Sequence, residues 1–524
     1  MTQYDYIVIG AGSAGCVVAN RLTQDSETTV LLLEAGNPDT KPEIQIPLEC
    51  TNLLGSEVDW KYFSEPEPYL NNRQIFCPRG KVWGGSSSIN FLLYVRGNHH
   101  DYDHWQELGN PGWSYQDVLP YFKKSENQQR GACEYHGVDG ELSVTDIISP
   151  AVASQRFVEA AVAMGYGYNP DFNAMQQEGV GLLQFTVKDG KRYSAAAAFL
   201  LPILQRPNLT TMTGALVTRL LFEGTRTAGV EYMQEGTLHQ ARVNSEVILS
   251  AGTFDSPKLL MLSGIGDAQQ LQAMGISVVV DLPGVGQNLQ DHPVVPMPYE
   301  ATQDLHTAIT SNGIAETAMF LHSEGNLEAA PDLELMFGPI LFVPPGYAHS
   351  DSGFTGLVCL THPQNIGSVS LRSPDPKDTP VIQMNYLQSE FDVQKLVSGI
   401  KLIRQLFHSS AFDEFRGKEV APGAEVTSDE ALVAYIREVC GTVFHPVGTC
   451  KMGTGPMAVV DPELRVYGVE GLRVVDASIM PTLITGHTNA PTIMIGEKAA
   501  DLIQATGGVS QQVHKSDRKL TEIA

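Results

Sequence analysis

The stretch from Tyr4 to Glu34, YDYIVIGAGSAGCVVANRLTQDSETTVLLLE, leaves few folds open to the chain. An apolar run leads into a glycine turn; a helical pattern follows, then a second apolar run that ends in an acid. Gly10, Gly12 and Gly15 make G-x-G-x-x-G directly after the first run. Glycines at this spacing serve a tight turn, close approach of backbone to a pyrophosphate, and close packing of helix on strand. The helix that follows turns its free N–H groups and positive end toward the phosphates. Glu34 stands 24 residues after Gly10, near the ~20-residue spacing at which an acid meets a ribose hydroxyl. A glycine triplet alone marks any turn. Strand, turn, helix, strand and acid in this order predict a βαβ unit that binds a dinucleotide.

At 524 residues the chain exceeds what one small core organises, and two intimately joined domains are expected. A hydrophobic fraction of 43% with 18% charged residues describes a folded protein. The net charge of −25 argues against a nucleic-acid partner and against an anionic membrane surface, both of which select basic patches. We read the acidity as solubility. Seven cysteines, an odd number with no C-x-x-C pair, suggest free thiols in a reducing compartment, without a disulfide framework or zinc site. The first strand is expected to begin within a few residues of Met1, and no secretory segment is expected. No apolar run reaches the ~20 residues that span a bilayer, so no transmembrane segment is expected. The expected location is cytoplasmic; peripheral membrane association leaves no trace in a sequence.

A second glycine-rich loop follows. Pro78, Arg79 and Gly80 introduce Gly84-Gly85-Ser86-Ser87-Ser88, whose backbone can press against a flat or anionic ligand. Read alone, it is equally a serine-rich surface turn. Asn90 comes next, with a side chain that both donates and accepts. AVASQRFVEAAVAMGYG and AAAAFLLPILQ read as helices; NLTTMTGALVTRLLFEG and EVILSAG read as strands; TFDSPKLLMLSGIG reads as a helix closed by glycine. From about residue 295 to Ser389, short β-like runs interrupted by prolines predict a separate antiparallel sheet. DVQKLVSGIKLIRQLFHSSAF, DEALVAYIREVC and the run after GHTNAP are helical, and the tail from Gly507 is polar and read as mobile.

PRGKVWGGSSSINFLLYVRG (Pro78 to Gly97), GTFDSPKLLMLSGIG (Gly252 to Gly266), PGVGQNLQDH, FHPVGTCKMG and GHTNAPTIMIGEKAADLI, in this order, resemble the glucose-methanol-choline (GMC) family of flavoprotein oxidoreductases. The resemblance runs from Tyr4 to about Ala505. It implies an α/β chain, α+β overall, with a Rossmann-like FAD-binding domain interleaved with a substrate domain built on an antiparallel sheet with helices. The expected division is 1–295 mainly FAD-binding, with substrate-domain insertions at about 150–195; 296–440 mainly substrate-binding; 441–506 a return to the FAD domain; and 507–524 a polar tail. By resemblance Gly10, Gly12, Gly15 and Glu34 hold the ADP half of FAD, with Val217 beside the adenine. Trp60, Gly84, Gly85, Asn90, Asp476, Ala477 and Asn489 line the ribityl and flavin portions. A covalent subtype of the family has histidine just before that asparagine. Here the position is Ile89, so the FAD is expected to be non-covalent.

Oxidation of an alcohol by hydride transfer requires the hydroxyl proton to leave as the hydride does, and a neutral imidazole can take it. His445 in FHPVG and His487 in GHTN are 42 residues apart. Alone, each of the fourteen histidines is by default a hydrogen-bonded loop residue. The resemblance makes these two the active-site pair: His445 the general base, His487 a partner that positions the alkoxide. The expected reaction is FAD-dependent oxidation of a primary alcohol to an aldehyde, nearest to choline-dehydrogenase-like members of the family. The partners are a small-molecule alcohol and an electron acceptor (oxygen, a quinone or another). Two alternatives are a non-alcohol activity on the same fold, such as flavin-dependent fatty-acid photodecarboxylation using Cys359 and Arg372, and a flavin-binding sensor without turnover. Retention of both histidines disfavours each. Cys450 reads as a buried structural thiol beside Lys451, and Asp332 and Glu334 as a solvated strand face. His99, His100 and His104, beside Asp101 and Asp103, read as a polar loop without a metal.

Overall fold

The computed structural model describes residues 3–303, 305, 313–325, 328–349 and 351–521, with side chains as far as residue 506. YDYIVI and VLLL become the strands Gln3–Ile9 and Val30–Leu33. Apart from the first strand's opening turns, both are buried, as continuous apolar runs in a parallel sheet must be. The sheet runs in the order Leu209–Met212, Val30–Leu33, Gln3–Ile9, Thr237–Leu249, Arg226–Gln234, Ala215–Glu223, with Leu472–Val474 beside the end of Thr237–Leu249. The first four strands and Leu472–Val474 run parallel; the last two in the order close an antiparallel meander. Glu34, Ser250 and Asp476 therefore follow the ends of three parallel strands, the edge at which such sheets bind ligands.

The helix Ser13–Leu22 is buried at every position but Ser13, because the final helix, which begins at Asn489, runs alongside it and the segment Ala196–Leu200 packs on it as well. A Cβ on Gly496 would stand 3.0 Å from the Ala14 carbonyl oxygen, so glycine there sets how closely the two helices meet. Arg21 Nε donates to Glu497 across this contact at 2.8 Å, and Arg21 Nη2 to Glu141 at 2.6 Å.

The second sheet is antiparallel, as the proline-broken runs predict. Its order is Arg416–Glu419, Pro293–Ala301, Gly353–Leu360, Leu333–Gly338, Thr317–Leu321, Gly179–Leu182, with Gly441–Thr442 beside Pro293 and Val294. The two-residue period divides its side chains. Val295, Met297, Tyr299, Leu335, Phe337 and Val358 enter a core with the helices Val152–Ala163 and Glu390–Phe407. The other face carries Val294 and Cys359 opposite Glu334, and Pro296 and Leu357 opposite Met336.

Three expectations change. AAAAFLLPILQ forms a π-helical turn, Ala196–Leu200, and then a 3-10 turn, Leu201–Ile203, instead of one regular helix; Pro202, lacking an N–H, stands at that junction. The histidines at 99, 100 and 104 lie on a helix, His99–Glu107, started by reciprocal hydrogen bonds between Asn98 and Asp101, where a polar loop was expected. The final helix continues to Thr521, past Gly507, where a mobile polar tail was expected. Cys450 is buried, and all seven cysteines are free thiols. Among the described residues no helix is long and apolar enough to cross a membrane.

Breaking a buried ion pair from one side leaves a charge without its partner. Arg21→Ala should therefore cost about 3 kcal/mol or more of stability in urea denaturation.

Candidate active site

One cavity of about 530 Å³ runs between the two sheets, from Gly10 and Glu34 at one end to His445 and His487 at the other. Gly12, Trp60, Gly85, Asn90, Val217, Asp476, Ala477 and Asn489 also line it; Gly15 and Gly84 do not. Gly15 acts behind the wall: a Cβ there would stand 1.9 Å from the Gly10 carbonyl oxygen. Gly84 donates its N–H to the Ala11 carbonyl at 2.7 Å, tying the second glycine loop to the first. At Gly85, φ is +53° and a Cβ would lie 2.7 Å from Gly12 Cα, so the two loops meet backbone to backbone.

Glu34 accepts the Ala11 N–H at 2.9 Å and the Gly36 N–H at 2.8 Å; burial, opposed by these bonds, raises its carboxyl to about 7. The helix start at Gly12 and Ser13 has no acidic residue in its first turn, leaving its positive end to the cavity. Ser13 Oγ donates to Asn489 Oδ1 at 2.8 Å. Asp476 accepts from the Gly252 N–H, Ser256 Oγ and the Ser478 N–H. Asn90 Oδ1 accepts from buried Arg192 at 2.8 Å. The Ser250 hydroxyl on the wall is buried without a protein partner. Glycine backbone, an N–H-rich helix end, a carboxylate and an unpartnered hydroxyl on one elongated cavity fit an adenine dinucleotide with a flavin at its far end.

At that far end, Asp291, 1% exposed, sets the geometry. Its carboxylate accepts the His445 N–H at 2.8 Å, the His292 N–H at 2.9 Å, and the hydroxyls of Tyr386 and Thr442, each at 2.6 Å. The backbone before His445 is bent by Phe444, whose φ is +67°, and Arg79 Nη2 donates to the Phe444 carbonyl at 2.6 Å. His445 Nδ1 lies 3.0 Å from His292 Nδ1, and His292 Nε2 lies 3.0 Å from the Thr361 carbonyl. A carbonyl only accepts, so neutral His292 carries its proton on Nε2 and offers Nδ1 as acceptor. His445 then donates through Nδ1, which leaves its Nε2 unprotonated. Burial, with His362 and His487 nearby, drives His292 down to about 3; burial, His487, His292 and Arg79 hold His445 well below 6.5.

The His445 and His487 rings lie 5.0 Å apart. His487 donates its N–H to the Val95 carbonyl at 3.1 Å, and its Nε2 lies 3.1 Å from Glu334 Oε1. Glu334 is 0% exposed. The solvated reading of this strand face is thus overturned: period two places Glu334 on the face of Met336, but only packing decides that this face turns inward. Asp332, just before the strand, pairs with Lys395 at 2.7 Å. His292 and Asp291 lie within PGVGQNLQDH, yet nothing in the sequence marks their role; Arg192 gave no signal beyond its place next to a predicted helix. Cys359 is buried in the second sheet and Arg372 is exposed on Glu65, and neither lines the cavity. Among the described residues, no three His, Cys, Asp or Glu side chains gather to hold a metal ion.

Residues 4–294 and 363–496 match the family profiles of the N- and C-terminal parts of GMC oxidoreductases. The chain belongs to the GMC oxidoreductase family. It is 44% identical to the mitochondrial choline dehydrogenase of Homo sapiens, over 96% of this chain and 90% of that one. It is 42% identical to an alcohol dehydrogenase [acceptor] of Pseudomonas putida, over 96% of each. Its fold matches the crystal structure of pyridoxine 4-oxidase from Mesorbium loti with a TM-score of 0.90 and 32% identity, over 95% of this chain and 98% of that one. The enzyme is an oxidoreductase that acts on the CH–OH group of donors, and the cofactor of its family is FAD.

A methyl group at Gly85 would strike Gly12 across the loop contact. Gly85→Ala should therefore purify with less than about a tenth of the wild-type flavin absorbance per chain, consistent with a lost backbone approach worth more than 1.4 kcal/mol.

Proposed function

We propose that the enzyme oxidises a primary alcohol to an aldehyde with non-covalently bound FAD, using His445 as general base. The observation that carries this reading is the chain Thr361–His292–His445, which fixes the tautomer of a buried, neutral imidazole and leaves its Nε2 for the cavity. Gly10, Gly12 and Glu34 would hold the ADP half, with Val217 by the adenine; Trp60, Gly85, Asn90, Asp476, Ala477 and Asn489 would hold the remainder, supported from behind by Gly15 and Gly84. Bound there, FAD supplies a two-electron acceptor for the hydride on the alcohol carbon.

His445 Nε2 takes the hydroxyl proton as the C–H bond is broken, so the alcohol gives up one proton and one hydride and leaves as the aldehyde. His487, oriented by Glu334, would stand beside the substrate oxygen and keep it near His445. The electrons then pass to an acceptor: oxygen, a quinone or another oxidant. We extend the reading to the chain's organisation and place. Residues 1–295 and 441–506 would form mainly the FAD-binding part, residues 296–440 mainly the substrate part, in a protein of the cytoplasm.

His445→Ala should retain FAD yet lose about 10²- to 10⁴-fold in the rate of anaerobic flavin reduction by alcohol, with His487→Ala milder. The depressed His445 should keep the wild-type rate level from alkaline pH down through 6.5, its acid limb lying below. Unchanged flavin reduction in His445→Ala would remove the base assignment. Ile89 offers no nucleophile to the cavity it lines, so acid precipitation should leave a colourless pellet and all the flavin in the supernatant. A yellow pellet would overturn non-covalent binding.

A further inference from the structure

The charges on the cavity wall are distributed unevenly. Its lining carboxylates among the described residues are Glu34, Asp255 and Asp476. Each follows a strand of the first sheet, and each is engaged: Glu34 with two backbone N–H groups, Asp255 with the Tyr62 hydroxyl at 2.9 Å, Asp476 with Ser256 and Ser478. The second sheet and the segments beside it contribute Val294, Pro296, Ile314, Met336, Phe342 and Leu357, all apolar, and Thr442, polar but uncharged, whose hydroxyl donates to Asp291. Among the described residues the one acid on that inward face is Glu334; it does not line the cavity, its Oε1 is taken by His487, and its Oε2 is buried behind that ring without a hydrogen-bond partner. The lining cations among the described residues are Arg79, which donates to the carbonyl of Phe444 just before His445, and Lys258, which donates to the Pro376 carbonyl.

A quaternary ammonium entering such a wall would give up its water shell and meet no carboxylate. Phe91, Phe342 and Phe444 line the cavity, but phenyl faces attract a cation less than an indole does, and here no lining carboxylate stands with them. An uncharged alkyl or aryl group loses nothing on the same surface and gains by leaving water. Resting on the alcohol-oxidation reading, we propose that the substrate is an uncharged primary alcohol with an apolar alkyl or aryl body, and that the second-sheet wall rejects quaternary-ammonium alcohols such as choline.

Choline and 3,3-dimethylbutan-1-ol have the same shape and differ by a charged nitrogen in place of carbon, so the pair isolates the charge. With the FAD-loaded enzyme under anaerobic conditions, the second-order rate of flavin reduction should favour the uncharged alcohol by on the order of 10²-fold, the scale on which a buried charge misses its partner. Equal rates, or a preference for choline, would overturn the proposal. Perturbation of the flavin absorbance by each compound reads binding without turnover. If no alcohol reduces the flavin, the oxidation reading falls, while tighter binding of choline than of its isostere would still refute the apolar wall on its own. Met336→Glu sets a carboxylate on that wall and should move the ratio at least tenfold toward choline. Met336→Gln, polar but uncharged, should not.

Discussion

The packing of the first helix on the last is the contact on which the site depends. Ser13 and Asn489 are 476 positions apart, yet their side chains are hydrogen-bonded at 2.8 Å beside the cavity. Arg21 and Glu497 repeat that separation two turns further along the same pair of helices. Gly496 permits the approach. The contact joins the pairing of Leu472–Val474 in the first sheet and the bond from the His487 N–H to Val95 in fixing the loop that carries His487 relative to the glycine turn. An ion pair buried at such a contact is a poor source of net stability but a strong constraint on register, because breaking it from one side leaves a charge stranded.

At the other end, the two histidines are fixed by different means. His445 is held through neutral groups: a second imidazole, then a backbone carbonyl, with Asp291 gripping the main chain. Nothing in that line favours a proton on His445 in the resting enzyme, and this suits a base. His487 is held by a carboxylate, which fixes its ring and its Nε2–H. The pair is close and similar in type, and its environments differentiate the roles.

Much of this could be read from the chain and some could not, for physical reasons. Gly10, Gly12 and Gly15 are legible because each serves a local backbone need, and local needs leave local patterns. The two sheets are legible because a strand buried on both faces and a strand broken by prolines differ in composition. His445 and His487 emerge only through family resemblance, since nothing within a few residues of either shows what it will face. Glu334 was misread because alternation states which residues share a face without stating where the face points. Asp291 and His292 were passed over because their importance lies in partners up to 154 positions away.

The same difference bears on how such a fold can vary its chemistry. The end proposed to take the nucleotide is lined largely by glycine backbone, which a side-chain change can only obstruct. The end proposed to take the substrate is walled by one face of an antiparallel sheet, whose opposite face is a separate core with helices Val152–Ala163 and Glu390–Phe407. Because successive residues alternate between those faces, Val294, Pro296, Met336 and Leu357 can change without altering Val295, Met297, Leu335 or Val358. The inward residues Val294, Met336 and Leu357 pack in a cluster of their own with Leu92, Val95 and Phe320, so a change there alters the cavity wall and that cluster while leaving the core behind the sheet in place. Glu334 is the exception on that face: it supports His487, so a change there reaches the chemistry as well as the fit.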